Sequence, residues 1–388
     1  MTFSDQTTKD LHAYFANRQR EILALTRALV ETESPSGNVA GSSAVVSLLA
    51  AACRTISSVT SIDRIPSENY GENLRVHAFG NGRKTPSTTL ILGHTDTVHP
   101  LGSLQSRPWR VEGNRAYGPG VFDMKANCAL AIEAIGACAA LNLAPKQPVV
   151  LLLTCDEESG SLTGRALVEA EAKRARSVLV LEPPASRGRV KTGRKGTGMF
   201  TLHVHGKAAH AGLEPEKGAS AILEISRQIE HLHRMNNPDT GIAVNVGVVR
   251  GGTVSNVVPA EAWAEVDLRF SSHAEGVATE KEILNLKPYD SRARVVVRGG
   301  INRPPLERTD KVQALYEHAR KLAAGIGYEL GEAQVGGASD GNFAAAVGAA
   351  VLDGLGVDGD GAHANHEHII VDDIARRGAL LAALLATL

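Results

Sequence analysis

Three short runs of uninterrupted aliphatic and β-branched residues, TLIL at 89–92, PVVLLLT at 148–154 and SVLVL at 177–181, constrain this chain more than any other feature. A strand with one face in water alternates apolar and polar side chains, whereas a strand covered on both faces does not. The runs therefore predict buried, parallel-type strands flanked by helices, the α/β class. Ligands of such sheets gather at the carboxyl ends of the strands. Each run here stops at a residue able to bind a metal or carry a proton: His94 with Asp96 two positions on, then Glu157 and Glu158, then Glu182. Residues i and i+2 of an extended segment share a face. Asp96 can therefore accept the far ring N–H of a ligating His94, fixing its tautomer and raising the basicity of the other nitrogen. Two adjacent glutamates point in different directions, so one can ligate while the other handles a proton.

Two further stretches add candidates. In AYGPGVFDMK, 116–125, a Gly-Pro-Gly turn sets Asp123 at the start of an Ala-rich helix expected over 126–141. Taken alone, Asp123 also suits a helix N-cap, and the 156–158 acids suit a solvated turn capping a helix over 162–172. Near the end, GAHANHE at 361–367 offers His363 and His366, with His368 just beyond. Carboxylates and imidazoles without recruited thiolates suit a hydrolytic Zn²⁺, Co²⁺ or Mn²⁺ site, and a carboxylate such as Asp123 has the two oxygens that a bridge between two metals requires.

At 388 residues the chain exceeds one ordinary core. Its 41 Lys and Arg against 42 Asp and Glu leave a net charge of -1, which gives no basic footprint for nucleic acid or an anionic membrane. A small substrate is the expectation. Cys53, Cys128, Cys138 and Cys155 lack CxxC spacing, consistent with free thiols in a reducing compartment. No signal-type apolar core and no run of about 18 apolar residues is present, so the expected location is the cytoplasm.

Helices are expected over 8–31 and 39–56, the second capped by Ser36 or Asn38, with short strands near 61–65 and 74–79. Residues 195–306 have another texture. Strands at 199–206, 242–250, 262–270 and 292–298 alternate with helices around 222–232 and 274–286, a β-α-β-β-α-β order that reads as a ferredoxin-like α+β domain inserted into the first. The expected domains are thus 1–194 and 307–388 together, interrupted by 195–306. After the insertion come a helix at 311–322, a glycine-rich loop at 336–341, a strand at 349–353 and a closing helix at 372–385.

In order along the chain, GHTDTV, YGPGVFDMK, CDEESGS, LEPP, GKAAHAG, GGTVSNVVPAE, GGASDGN and GAHANHE resemble the M20 family of co-catalytic metallopeptidases, in its branch of glutamate-type carboxypeptidases and N-acyl amino acid deacylases. The resemblance runs from about residue 25 to about 380. It implies a mixed-sheet di-metal hydrolase domain with an inserted lid and dimerisation domain. It further implies that His94 and Glu182 hold one metal, Glu158 and His363 the other, and Asp123 bridges them. Glu157 would be the general base and Asp96 the supporting carboxylate, with a cis peptide after Asp123. A His followed four residues later by Glu selects His363, paired with Glu367, over His366 and His368. His210, in GKAAHAG, would donate to the oxyanion across a homodimer built through 195–306. Asn256 and Arg303 would touch the substrate, with Arg194 or Lys195 as alternatives for its free carboxylate. In this family a Glu at the position of Glu182 accompanies substrates with a free carboxylate beside the scissile amide. The expected substrates are therefore small peptides or N-acyl amino acids, with small non-peptide amides or carbamates as one alternative and a non-enzymatic metal- or ligand-binding relative, which an intact Glu157 argues against, as the other.

Overall fold

The structure, a computed structural model, describes residues 5–80 and 87–388. It divides into two compact units: Met1–Thr192 with Arg308–Val335 and Ser339–Leu388, and Gly193–Glu307 with Gly336–Ala338.

In the larger unit the apolar runs become the centre of a six-stranded mixed sheet. Its order is Val59–Ser67, Gly71–Ala78, Val149–Thr154, Thr88–His94, Ala175–Val180 and Ala350–Leu352. Every residue of Thr88–His94 and of Val149–Thr154 is buried, as uninterrupted runs require. These two strands pair in parallel, with His94 opposite Thr154, and Thr88–His94 also runs parallel to Ala175–Val180, with Leu92 opposite Val180. Parallel pairing places the three carboxyl ends along one edge, so the residues that follow each strand meet there. Gly71–Ala78 and Val59–Ser67 complete the sheet in antiparallel fashion.

Helices cover this sheet. Ala126–Ala140 is apolar around most of its surface and correspondingly buried. It packs with Asp5–Glu31 and Asp373–Thr387. Gly378 lets two of these helices approach closely, since a Cβ there would stand 2.2 Å from Phe15 Cδ1. Burial of a side chain such as Phe15, which is 0% exposed, is worth about 1.5–3 kcal/mol. Asn38, rather than Ser36, caps Val39–Arg54 by accepting from Gly41 N at 2.7 Å. The helix expected from 162 begins only at Arg165, because buried Asp156 gathers Thr163 N at 2.6 Å and Gly164 N at 3.2 Å into a loop. All four cysteines are buried and unpaired. Burial pushes Cys53, Cys128 and Cys138 up to about 12 and Cys155 up to about 11.

Short strands escaped the sequence pattern. Gly359–Asp360, His368–Ile370, Arg115–Tyr117 and Arg110–Glu112 form a small antiparallel sheet in which His368 lies opposite Tyr117. That pairing carries the 361–367 segment alongside the 118–123 turn, some 240 residues earlier in the chain.

The smaller unit is a four-stranded antiparallel sheet with the helices Ala221–Arg234 and His273–Leu284. Spatial order is Ala243–Gly251, Glu261–Phe270, Gly196–His205 and Arg294–Arg303, so the first strand lies between the third and the fourth. This is the ferredoxin-like arrangement. Alternation does the folding work: Phe200, Leu202, Val204, Ala262, Ala264, Val266, Leu268 and Phe270 are buried in its core, while Thr201, His203, Glu265 and Asp267 between them are more exposed.

Candidate metal centre

His94 is the last residue of its strand and 1% exposed. Its Nε2 stands 3.2 Å from Asp123 Oδ1 and 3.6 Å from Glu182 Oε1. On the other side of the same carboxylate, Asp123 Oδ2 lies 3.4 Å from His363 Nε2, which in turn is 3.2 Å from Glu158 Oε2. Asp123 therefore divides its two oxygens between two histidines. Ligands held about 2.0–2.2 Å from a tetrahedral zinc stand about 3.3–3.6 Å apart, and the four separations fall close to that spacing. Glu158 Oε1 is buried with no hydrogen-bond partner, an orphaned acceptor that a cation would satisfy. On both grounds the residues fit a two-metal site.

The chain's local structure explains how Asp123 reaches this position. It sits in the turn Val121–Lys125 with φ -118° and ψ 89°, outside helical values, and the helix starts only at Ala126. It does not cap that helix. The Asp123–Met124 peptide is cis. Lys125, 2% exposed, anchors the turn by donating to the carbonyls of Leu29 at 2.9 Å and Thr32 at 2.7 Å, at the end of Asp5–Glu31. Burial lowers its pKa to about 8.

Asp96 has a wider role than holding one imidazole. The nearest acceptor to His94 Nδ1 is the backbone carbonyl of Asp96 at 3.0 Å, with the carboxylate Oδ1 at 3.4 Å. The carboxylate accepts instead from Glu157 N at 3.2 Å, Glu158 N at 3.1 Å and the Ser36 hydroxyl at 2.6 Å. It thus ties the Glu157–Glu158 backbone to the end of the neighbouring strand. The turn is held from its other end as well: Asp340 accepts from Thr154 Oγ1 at 2.9 Å and from the Ser161 hydroxyl. Glu157 is buried, and one of its oxygens lies within 4.8 Å of ligand atoms of His94 and Glu182. The same limit groups His94, Asp123 and Glu158.

Charge is balanced within the cluster. Burial opposes a proton on His94, and the carboxylates of Asp123 and Asp96 outweigh it, holding the imidazole well above its ordinary value. Burial likewise opposes ionisation of Asp123, but hydrogen bonds from His363 and His94 hold its carboxyl well below the usual range. Asp123 and Glu158 raise His363 to about 10.

The remaining histidines of the 361–368 segment point elsewhere. His368 Nδ1 contacts the His366 carbonyl at 2.9 Å and its ring packs on Tyr117, while His366 is exposed with Nε2 4.0 Å from Asp360. Glu367 does not pair with His363. Its carboxylate accepts from Gly120 N, Phe122 N and Asp123 N, so the His-x-x-x-Glu spacing reflects two side chains that approach the Asp123 turn separately.

His210, Asn256 and Arg303 belong to the smaller unit. His210 and Asn256 are brought together there: Ala211 N donates to the Asn256 carbonyl at 3.0 Å, and His210 bridges to Val257. His210 Nδ1 accepts from Gly212 N at 3.1 Å, which leaves the ring hydrogen on Nε2. Arg303 is 6% exposed at the end of its strand. Arg194 Nη1 donates to the carbonyls of Gly337 and Ala338, and Lys195 Nζ to that of Gly241.

Sequence reasoning missed Ser36, Asp340 and His99 as supports of this centre. His99 follows the His94 motif by five residues and Asp340 lies within GGASDGN, so both could have been flagged by their motifs; Ser36 read only as a candidate helix cap.

Comparison with known proteins places the chain in a family. The model of peptidase family M20/M25/M40 matches residues 90–387. Carboxypeptidase G2 of Pseudomonas sp. (strain RS-16) is 28% identical over 379 residues, covering 96% of this chain and 90% of that protein. Among solved structures, aminopeptidase PepT from Bacillus cereus ATCC 10987 superposes with a TM-score of 0.74 at 22% identity, over 95% of this chain and 98% of that one. The YXEP protein of Bacillus subtilis, described as a dinuclear metal-binding peptidase from the M20 family, superposes with a TM-score of 0.69 at 14% identity, over 96% and 100%. At such identities the structural likenesses establish the fold.

Proposed function

The chain belongs to peptidase family M20/M25/M40 and is a hydrolase, and from that premise we propose that it cleaves an amide bond beside a free carboxylate, as a glutamate-type carboxypeptidase or an N-acyl amino acid deacylase. The observation that supports its hydrolytic centre is the division of the Asp123 oxygens between His94 and His363, and the free carboxylate is argued from a Glu at position 182. In the proposed site His94 and Glu182 would hold one ion and Glu158 and His363 the other, with Asp123 shared between them. Two Zn²⁺ ions, or Co²⁺ or Mn²⁺, suit this set of imidazole and carboxylate donors. When bound, such a pair polarises the amide carbonyl and lowers the pKa of water toward about 7.

The protein's own groups do the rest. Glu157, oriented through its backbone N–H on Asp96, takes a proton from the attacking water and returns it to the departing nitrogen. Because His210 Nδ1 accepts from Gly212, its Nε2–H is the donor available to a developing oxyanion. We place that histidine in the cleft of a partner subunit, in a homodimer formed through 195–306. Arg303 is the leading candidate for the substrate carboxylate, since a guanidinium fixes such a group with paired, charge-assisted bonds. Arg194 and Lys195, in the same unit, are the alternatives.

A substrate panel tests the reading. Metal-loaded protein is assayed against dipeptides, N-acyl amino acids and N-carbamoyl amino acids, each as the free acid and as the amide. Amidation is expected to raise KM sharply. Equal turnover of acid and amide would overturn the carboxylate requirement and point to an amidohydrolase of small non-peptide substrates.

A further inference from the structure

Glu367 is a fully engaged buried carboxylate that the proposed reaction does not use. It is 2% exposed and receives four donors. Oε1 accepts from Phe122 N at 2.9 Å and Asp123 N at 3.0 Å; Oε2 accepts from Gly120 N at 2.8 Å and His99 Nε2 at 2.6 Å. A carboxylate offers about four lone-pair positions, and here all are filled. Three donors belong to the backbone of the turn that carries Asp123. The fourth, His99, is itself oriented: Arg107 Nη1 stands 3.2 Å from its Nδ1, and since a guanidinium only donates, Nδ1 accepts and Nε2 carries the hydrogen. Thr97, two residues before His99, packs against the same turn so closely that a Cβ on Gly120 (φ +71°) would lie 2.4 Å from Thr97 Cγ2.

We propose that Arg107, His99 and Glu367 form a clamp that positions Asp123 from behind, so that its carboxylate spans two metals rather than turning toward one. This inference rests on the two-metal reading above. None of the three residues contributes a ligand in that reading. Their effect is transmitted through backbone N–H groups, by the same logic through which partners of a ligand commonly alter metal affinity or activity about 10- to 100-fold.

The test measures metal uptake rather than turnover. Metal-free wild type, Glu367→Gln, His99→Gln and His99→Leu are titrated with Co²⁺ in competition with a chromogenic chelator, and the cobalt absorption spectrum is recorded at each equivalent. Wild type is expected to take up two equivalents. Glu367→Gln retains one oxygen for four donors, and His99→Leu removes the fourth donor. Both are expected to bind the second equivalent about 10- to 100-fold more weakly, with an altered spectrum. His99→Gln, whose amide N–H reaches the region of the imidazole Nε2, is expected to restore wild-type binding. If Glu367→Gln fails to fold, the two His99 variants still decide. Wild-type affinity and spectrum in His99→Leu, or equal loss in His99→Gln and His99→Leu, would overturn the clamp while leaving the two-metal reading standing. Fewer than two equivalents in wild type would overturn that reading, and the clamp with it.

Discussion

Asp96→Asn changes one atom, and its consequences can be worked out from the four donors around the carboxylate. Oδ1 receives Glu157 N at 3.2 Å and lies 3.4 Å from His94 Nδ1; Oδ2 receives Ser36 Oγ at 2.6 Å and Glu158 N at 3.1 Å. An amide has one oxygen, so its NH₂ must face one of these pairs. Toward the first it meets two N–H groups. Toward the second it meets a hydroxyl that can rotate and accept, leaving only Glu158 N–H without a partner, so this orientation costs less. A buried N–H that loses its acceptor costs about 1–3 kcal/mol, or about 5- to 150-fold at about 1.4 kcal/mol per factor of ten. His94 is spared most of this, because the backbone carbonyl of residue 96 remains its nearest acceptor at 3.0 Å. In the proposed site the loss should therefore fall on the metal assigned to Glu158 and His363, and much less on the one assigned to His94 and Glu182. Stepwise chelator competition on metal-free protein, with circular dichroism to establish that the fold persists, measures both affinities. Unchanged affinity at both sites, or a larger loss at the His94 site, would refute the assignment of the carboxylate to the Glu157–Glu158 backbone.

Glu157→Gln is expected to keep both metals by elemental analysis while kcat falls by about 10²- to 10⁴-fold; loss of metal instead would make Glu157 a ligand. Metal uptake should depend on pH, because His363 is raised to about 10 in the free cluster and must shed its proton to ligate, as must His94. Apparent affinity is expected to rise with pH and binding to release protons, which calorimetry in buffers of different ionisation enthalpy detects. For the metal-free protein the sign reverses: a histidine with a raised folded pKa stabilises fully below its unfolded value of 6.5, and that stability is lost as pH rises toward about 10. Thermal melts with and without metal across that window check both statements. Mixing Glu157→Gln subunits with His210→Ala subunits tests action across the dimer. If His210 serves its partner, half the dimers of an equal, freely exchanging mixture hold one intact cleft, and activity should recover to about a quarter of wild type per site. No recovery, with exchange established by differently tagged subunits, refutes action in trans.

The amino-acid sequence alone determined the buried sheet and most of the donor set. Uninterrupted runs such as TLIL and PVVLLLT can be satisfied only by strands covered on both faces, and parallel pairing of such strands brings the residues after each one to a common edge. His94, Glu157, Glu158 and Glu182 were legible for that reason. Period-two alternation in 199–206 and 262–270 made the ferredoxin-like unit legible in the same way. Only the tertiary structure decided how irregular segments aim their side chains. Asp123 and His363 lie in turns, with His363 at φ 63° beside Gly361 at φ 81°, and no periodicity tells which of three nearby histidines points inward. The short strands Arg115–Tyr117 and His368–Ile370 have too few residues to show a pattern, yet their pairing brings Glu367 to the Asp123 turn. His99 and Glu367 are 268 positions apart, and their hydrogen bond exists only because the folded chain places both beside that turn. Local sequence fixes a side chain's direction where the backbone repeats; where it does not, direction follows from dihedrals that distant contacts impose.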